Sequence, residues 1–88
     1  MKYSVRYSER AVKELTKLDR PIALMIYAWV TKNLEGTSYP RQHGKALTGK
    51  YSGYWRYRVG SYRLIAEIVE NEVRIDIIKV GHRSKIYG

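Results

Sequence analysis

The segment that decides the fold is residues 55–65, WRYRVGSYRLI, in which aromatic or aliphatic residues alternate with arginines up to a Gly-Ser pair and again just after it. Alternation with a period of two is typical of β-strands, and glycine in the first position of a two-residue turn favours a type II′ hairpin. The antiparallel register that follows has four cross-strand pairs: Val59 with Tyr62, Arg58 with Arg63, Tyr57 with Leu64, and Arg56 with Ile65.

The two faces of this hairpin differ in chemistry, because successive side chains of a strand point to opposite faces. One face is apolar and is expected to be covered by the rest of the fold. The other face carries Arg56, Arg58 and Arg63, and we call it the arginine face. Like charges directly opposite each other destabilise a strand pair, so the cluster indicates a negatively charged ligand. The alternative is that the three side chains project separately into solvent.

The rest of the chain supplies another two strands and two helices. Residues 3–7 alternate as a half-buried strand, and residues 12–18 and 22–30 place apolar side chains at helical spacing, with Ser8 able to cap the first helix. Strands are predicted over Tyr54–Val59, Tyr62–Val69 and Val73–Val80, with a loop over residues 37–50. The sequence therefore predicts a single α+β domain over residues 1–88: an N-terminal strand, a helical hairpin and a three-stranded antiparallel meander, with the helices packed on one face of a four-stranded sheet.

The C-terminal tail, residues 81–88, follows the last strand as GHRSKIYG. Strict alternation places Ile78 and Val80 on the arginine face, so a tail that folds back is expected to lie along that face. It would bring four polar side chains toward the arginines: His82, Arg83, Lys85 and Tyr87. Such a set can bind phosphates, stack on a base and move protons.

The formal net charge is +9, and the excess is unevenly distributed. Residues 36–66 carry six basic side chains and no carboxylate, and residues 77–88 carry three basic side chains and again no carboxylate. An unneutralised cationic surface repels itself, so the expected partner is a polyanion, either nucleic acid or an acidic protein. A generally solvated basic surface is the alternative.

Several classes of protein are excluded by composition. The chain has no cysteine, which excludes a disulfide scaffold, a thiolate zinc site and a cysteine nucleophile. Two separated histidines and few clustered carboxylates predict no metal site and no cofactor. The longest apolar stretch, residues 22–30, is far shorter than the roughly 18 residues of a membrane span, so we expect a cytoplasmic protein without a membrane partner.

The chain resembles the RelE family of toxins from toxin–antitoxin systems. The resemblance spans essentially the whole chain and is densest in KALTG at residues 45–49, in residues 55–65, and in VGHRSKIY at residues 80–87. It implies a toxin that a small acidic antitoxin neutralises. It also implies an endoribonuclease that cuts messenger RNA in the ribosomal A site without a metal, by attack of the ribose 2′-hydroxyl on the adjacent phosphate to leave a 2′,3′-cyclic phosphate.

The resemblance also implies roles for individual residues. Arg56 and Arg58 match the basic residues that hold the RNA backbone and assist activation of the 2′-hydroxyl. Arg63 matches the arginine that stabilises the charged phosphorane. Arg83 matches the arginine that protonates the leaving 5′ oxygen, and Tyr87 matches the tyrosine that stacks on or orients the nucleotide.

The general base is left open. Arg58 stands where well-known members carry lysine, and a guanidinium with a pKa above about 12 is a poor proton acceptor. His82 is the alternative, because imidazole titrates near neutrality, unless it is a tail residue that only hydrogen-bonds the backbone. Lys45, Lys50 and Lys85 are expected to bind RNA together with Arg56.

Two other functions remain compatible with the sequence. ParE-like toxins share the order of elements but poison DNA gyrase and are not nucleases. A non-catalytic RNA-binding module would also need only the basic face. The arginine-rich hairpin combined with Arg83 and Tyr87 favours the ribonuclease.

Overall fold

The computed structural model describes residues 1–87, so Gly88, the last residue of the predicted tail, lies outside the described residues. The strands are β1 (Ser4–Tyr7), β2 (Lys45–Ala46), β3 (Trp55–Val59), β4 (Tyr62–Val69) and β5 (Arg74–His82), and the helices are α1 (Glu9–Thr16) and α2 (Arg20–Asn33). The five strands form one sheet in the order β1-β5-β4-β3-β2, in which β1 pairs with β5 in parallel and the other pairs are antiparallel. Over the described residues, no helix is long and apolar enough to cross a membrane.

The predicted α+β architecture is confirmed, and so is the register of the hairpin. Arg58 lies opposite Arg63, and Gly60 has a φ of +58°, as the first turn position of a type II′ hairpin requires. Ser8 caps α1, since its Oγ accepts a hydrogen bond from the Ala11 amide at 3.0 Å. The sheet has one strand more than predicted, because β2 forms inside the expected loop. A two-residue strand is too short to show any alternation.

The core lies between the helices and the apolar face of the sheet. Helix α1 contributes Ala11 and Leu15. Helix α2 contributes Ile26 and Val30, followed by Leu34 just after its end. The sheet contributes seven buried residues: Tyr57, Val59, Leu64, Ala66, Ile75, Ile77 and Val80. Both helices therefore pack on one face of the sheet, which leaves the arginine face uncovered by helices.

A β-bulge changes which side chains of β5 share the arginine face. Ala66 pairs with Ile77 and Ile65 pairs with Lys79, so one extra residue of β5 lies between these pairs and the alternation shifts by one. The placement of Val80 on the arginine face was therefore wrong: Val80 pairs with Leu64 and is buried in the core. Lys79 takes its place on the arginine face.

Two hydrogen bonds to β3 hold the loop that leads into β2. The Tyr57 hydroxyl donates to the carbonyl of Pro40, and the Trp55 indole N–H donates to the carbonyl of His43 at 2.8 Å. Both aromatic side chains thus bury an apolar body and satisfy their polar atom. The loop in turn positions Gly44 against β3 and brings Lys45 into the sheet.

Burial of Tyr7 makes the fold sensitive to alkaline pH. Burial, the neighbouring Tyr27 and the Glu35 carboxylate raise the pKa of Tyr7 to about 12. A raised pKa means that the folded state holds the Tyr7 proton more tightly than the unfolded state does. The contribution of this difference to the free energy of unfolding is complete below about pH 10 and is lost as the pH rises to about 12. We expect Tyr7→Phe to behave like the natural chain near neutral pH and to lose less stability above pH 10. Urea unfolding followed by circular dichroism across this range measures the difference, and parallel pH profiles for the two chains would contradict it.

Candidate nucleic-acid interface

The arginine face holds two pairs of like charges directly across neighbouring strands. Arg58 of β3 lies opposite Arg63 of β4, and Arg56 of β3 lies opposite Lys45 of β2. Lys45 was expected in a loop, and β2 instead places it on the same face as the arginines. No carboxylate forms an ion pair with these four side chains in the described part of the chain. The strip is therefore a continuous cationic surface over three strands.

The Arg63 guanidinium is held in place by the hairpin turn. Its Nη1 donates to the carbonyl of Gly60 at 3.0 Å and to the carbonyl of Tyr62 at 2.9 Å. The pKa of Arg63 is lowered first by desolvation and then by the positive charges of Arg58, Arg56 and Arg83, while Tyr87 acts in the opposite direction. These charges lie close enough together to repel one another, and an anion placed among them would relieve that repulsion.

The tail folds back beside the hairpin turn. The Arg83 amide donates to the carbonyl of Ser61 at 2.8 Å, and the Ile86 amide donates to the carbonyl of His82 at 3.0 Å. Ile86 is buried over Gly81, where a Cβ atom would lie 3.2 Å from its Cδ1. These contacts place Arg83 beside the turn that carries Arg63, as the sequence predicted. Tyr87 is 41% exposed and lies near Arg63.

A lysine–tyrosine pair completes the arginine face and was missed by sequence reasoning. Lys79 is only 7% exposed, and its Nζ donates a hydrogen bond to the Tyr51 hydroxyl at 2.9 Å. This hydrogen bond and the nearby positive charges of Lys79, Lys50 and Arg10 lower the pKa of Tyr51. The Tyr51 ring meets the Tyr87 ring edge to face, with 5.9 Å between centroids. The only signal in the sequence is the doubled Ile77-Ile78, which breaks the alternation just before Lys79.

Three predicted site residues lie elsewhere. His82 pairs with Tyr62, its ring packs against the Tyr62 ring at 5.4 Å, and its Nδ1 accepts a hydrogen bond from the Ser84 amide. The bulge turns His82 away from the arginines, so the structure does not bring it to them. His82 and Lys85 instead line a cleft beside α1, which we call the edge cleft and which is also lined by Arg10, Glu14, Lys79 and Ile86. Lys50 lies next to Tyr51, with its Nζ 5.3 Å from the ring centroid.

The end of the arginine face that is distant from the hairpin turn has a different charge pattern. Arg74 donates two hydrogen bonds to the Asp76 carboxylate, at 2.8 and 3.2 Å, and Glu67 pairs with Asp76 across β4 and β5. Arg74 is therefore neutralised, whereas the cations near the hairpin turn form no ion pair with a carboxylate among residues 1–87. The surface is therefore polarised along the strands, with its positive end at the turn and the tail. Among residues 1–87, no group of three His, Asp or Glu side chains is placed to hold a metal ion.

Comparison with known proteins identifies the family. A model described as the ParE toxin of type II toxin–antitoxin system, parDE, matches residues 5–87. The chain is 31% identical over 87 residues to the toxin RelG of Mycobacterium tuberculosis, covering 99% of this chain and 98% of that one. It is 30% identical to the mRNA interferase toxin RelE of Escherichia coli K12, covering 100% of this chain and 93% of the relative. The chain belongs to the RelE family of type II toxins.

The fold of this RelE-family toxin agrees with that of its solved relatives. It superposes on a chain of the toxin–antitoxin complex RelBE2 from Mycobacterium tuberculosis with a TM-score of 0.84 at 29% identity, covering 94% of this chain and 100% of that one. The resemblance inferred from the hairpin and the tail is thereby confirmed.

Proposed function

We propose that this RelE-family toxin is a ribosome-dependent endoribonuclease that cuts messenger RNA in the ribosomal A site. The observation that carries the proposal is the unneutralised cluster at the hairpin turn, where Arg58 lies opposite Arg63 and the tail is tied beside them through the Arg83 amide. A relative at 30% identity is named an mRNA interferase, which supports the same activity. Cationic donors fixed before the substrate arrives suit a reaction whose transition state gains negative charge on phosphate.

The proposed reaction is attack of a ribose 2′-oxygen on the adjacent phosphorus. The P–O2′ bond forms, the P–O5′ bond breaks, and the products are a 2′,3′-cyclic phosphate and a 5′-hydroxyl. Arg63 stabilises the phosphorane, Arg83 supplies the proton to the leaving 5′ oxygen, and Tyr87 stacks on or orients the nucleotide. Arg56 and Arg58 hold the RNA backbone and, with Lys45 on the same strip, keep the strand aligned.

The group that accepts the 2′ proton is not one of the arginines, because a guanidinium is already protonated near neutral pH and has no free site for another proton. His82 lies in the edge cleft, so its geometry favours a structural role over a catalytic one. Tyr51 lies against Tyr87, and its hydroxyl oxygen accepts a hydrogen bond from the Lys79 Nζ, which also lowers its pKa. We therefore propose the Tyr51 phenolate as the acceptor of the 2′ proton. In either case, we propose that the ribosome supplies the in-line geometry of the message, which this small surface cannot impose alone.

An acidic antitoxin is the proposed protein partner, acting with the toxin in the cytoplasm. The RelBE2 structure of the relative is a toxin–antitoxin complex, and the net charge of +9 on this chain favours an acidic partner. We expect expression of the chain alone to arrest growth, and co-expression of its proposed acidic antitoxin, sought in the adjacent reading frame, to restore growth. Normal growth at confirmed expression of folded protein would contradict the toxin proposal.

Gyrase poisoning is the second candidate, because the matching family model is described as ParE. Three assays of the purified chain distinguish these functions. The chain is incubated with translating ribosomes, with naked message, or with gyrase and plasmid DNA. The ribonuclease should cut the ribosome-bound message, leave naked message largely intact and leave the DNA unbroken. Broken DNA with intact message would instead support the gyrase poison, and binding to RNA without any cleavage would support an RNA-binding module.

A further inference from the structure

The edge cleft lies where β5 extends beyond the end of β1, its parallel neighbour in the sheet. β1 pairs only with residues 74–77 of β5, so residues 78–82 present an open edge toward α1. Between this edge, α1 and the tail lies a cleft of about 370 Å³. The Glu14 carboxylate accepts a hydrogen bond from the Val80 amide at 2.8 Å, which satisfies one donor of the open edge.

The side chains around the edge cleft carry an excess of positive charge. Arg10, Lys79 and Lys85 are cationic, and Glu14 is the one carboxylate among the residues that line the cleft. That carboxylate is already engaged by the Val80 amide and by Nε of Arg10 at 3.3 Å. Three cations against one engaged carboxylate leave the cleft with a net positive charge.

Lys79 makes this charge unusual, because it is a buried cationic residue whose hydrogen-bond partner is a tyrosine and not a carboxylate. The residue is 7% exposed, and its hydrogen-bond partner is the Tyr51 hydroxyl rather than a carboxylate. A buried ammonium is costly unless an anion or several hydrogen bonds compensate it. The lowered pKa of Tyr51 reports the same positive field, since Lys79, Lys50 and Arg10 all act on it in one direction.

We propose that the edge cleft binds a backbone phosphate of RNA, at a site separate from the arginine face. Arg10 and Lys85 supply exposed donors and Lys79 a buried one, with the His82 ring beside them. The Lys79–Tyr51 pair forms the boundary between the cleft and Tyr87, so a strand bound on the arginine face can continue into the cleft. The inference goes beyond the proposed cleavage, because binding of a phosphate here needs no reaction.

The two histidines of the chain provide the test, since His82 lines the cleft and His43 lies in the loop before β2. The imidazole proton resonances of the purified chain are followed by NMR at fixed pH and ionic strength. Inorganic phosphate is added in one titration, and a short DNA oligonucleotide is added in the other. DNA is chosen because it lacks the 2′-hydroxyl and cannot be cut by the proposed reaction. We expect the His82 signals to shift and saturate, with a clearly smaller change in the His43 signals. The shift of His82 should saturate at lower concentrations of oligonucleotide than of phosphate.

Variants then assign the site. Lys85→Gln, on the exposed tail, should weaken the response of His82 about tenfold, and Lys79→Met should abolish it if that chain folds. Arg63→Ala removes an arginine-face residue and should leave the response to inorganic phosphate unchanged. Equal shifts of both histidines, or an unchanged response in Lys85→Gln, would overturn the site. A response to inorganic phosphate without one to the oligonucleotide would overturn the assignment to RNA. Since no step measures cleavage, failure here is distinguishable from failure of the proposed ribonuclease.

Discussion

Arg63→Ala is expected to lower the single-turnover rate of message cleavage on the ribosome by about 100-fold, with ribosome binding largely retained. Arg63 is held by hydrogen bonds to the carbonyls of Gly60 and Tyr62, and in the proposed mechanism it acts on charge that develops only in the transition state. Loss of one such fixed donor costs roughly 3 kcal/mol of transition-state stabilisation. Arg83→Ala should show a comparable loss, because the tail holds it beside the same turn.

Lys50→Ala is the matched control for these variants. Lys50 is an exposed cation next to Tyr51, so in the proposed complex it would contribute only screened phosphate contacts. Its loss should weaken ribosome binding in a salt-dependent way and leave the rate of the bound complex nearly unchanged. Full cleavage rates in folded Arg63→Ala and Arg83→Ala would remove the arginine-face mechanism and put the gyrase poison first.

Gly44→Ala is expected to destabilise the fold by about 3 kcal/mol. Gly44 has a φ of +100°, and a Cβ atom there would overlap the backbone carbonyl of Arg56 and approach the Trp55 indole nitrogen to 2.9 Å. To relieve the overlap, the loop must leave β3, which breaks the pairing of β2 and removes Lys45 from its place opposite Arg56. Urea unfolding measures the stability, and the variant should also bind ribosomes more weakly.

Gly53→Ala separates the two causes of this loss. Gly53 has a similar φ of +95°, but nothing lies within 4 Å of a Cβ atom built there. It should therefore carry only the backbone cost, about 1 kcal/mol. Equal losses of stability in the two variants would show that the contact between Gly44 and Arg56 has no consequence.

The hairpin could be predicted from the sequence because its determinants are local. The alternation of residues 55–59 and the Gly60-Ser61 turn specify a register without reference to the rest of the fold. The two features of the fold that sequence reasoning missed, β2 and the bulge in β5, depend on tertiary structure. β2 has two residues, and hydrogen bonds from Trp55 and Tyr57 to residues distant in sequence hold the loop that leads into it. The bulge in β5 depends on how that strand meets both the core and the tail.

The same distinction applies to the candidate site. The placement of Arg56, Arg58 and Arg63 followed from the hairpin, and Arg83 and Tyr87 followed from the tail and the family resemblance. A shift of one residue at the bulge reverses every side chain beyond it, so Lys79 joins the arginine face and His82 leaves it. Tyr51 could not be assigned because its role depends on its contact with Lys79, which is 28 residues away in sequence.

The chemical identity of the RNA ends tests the proposed function most directly. Ribosomes paused on a defined message are mixed with the purified chain, and the fragments are analysed by mass spectrometry. The proposed attack by the 2′-oxygen predicts a 2′,3′-cyclic phosphate on the upstream fragment and a 5′-hydroxyl on the downstream fragment, with the cut in the A-site codon. Fragments that carry a 3′-hydroxyl and a 5′-phosphate, or an intact message under conditions where the chain breaks gyrase-bound DNA, would contradict it.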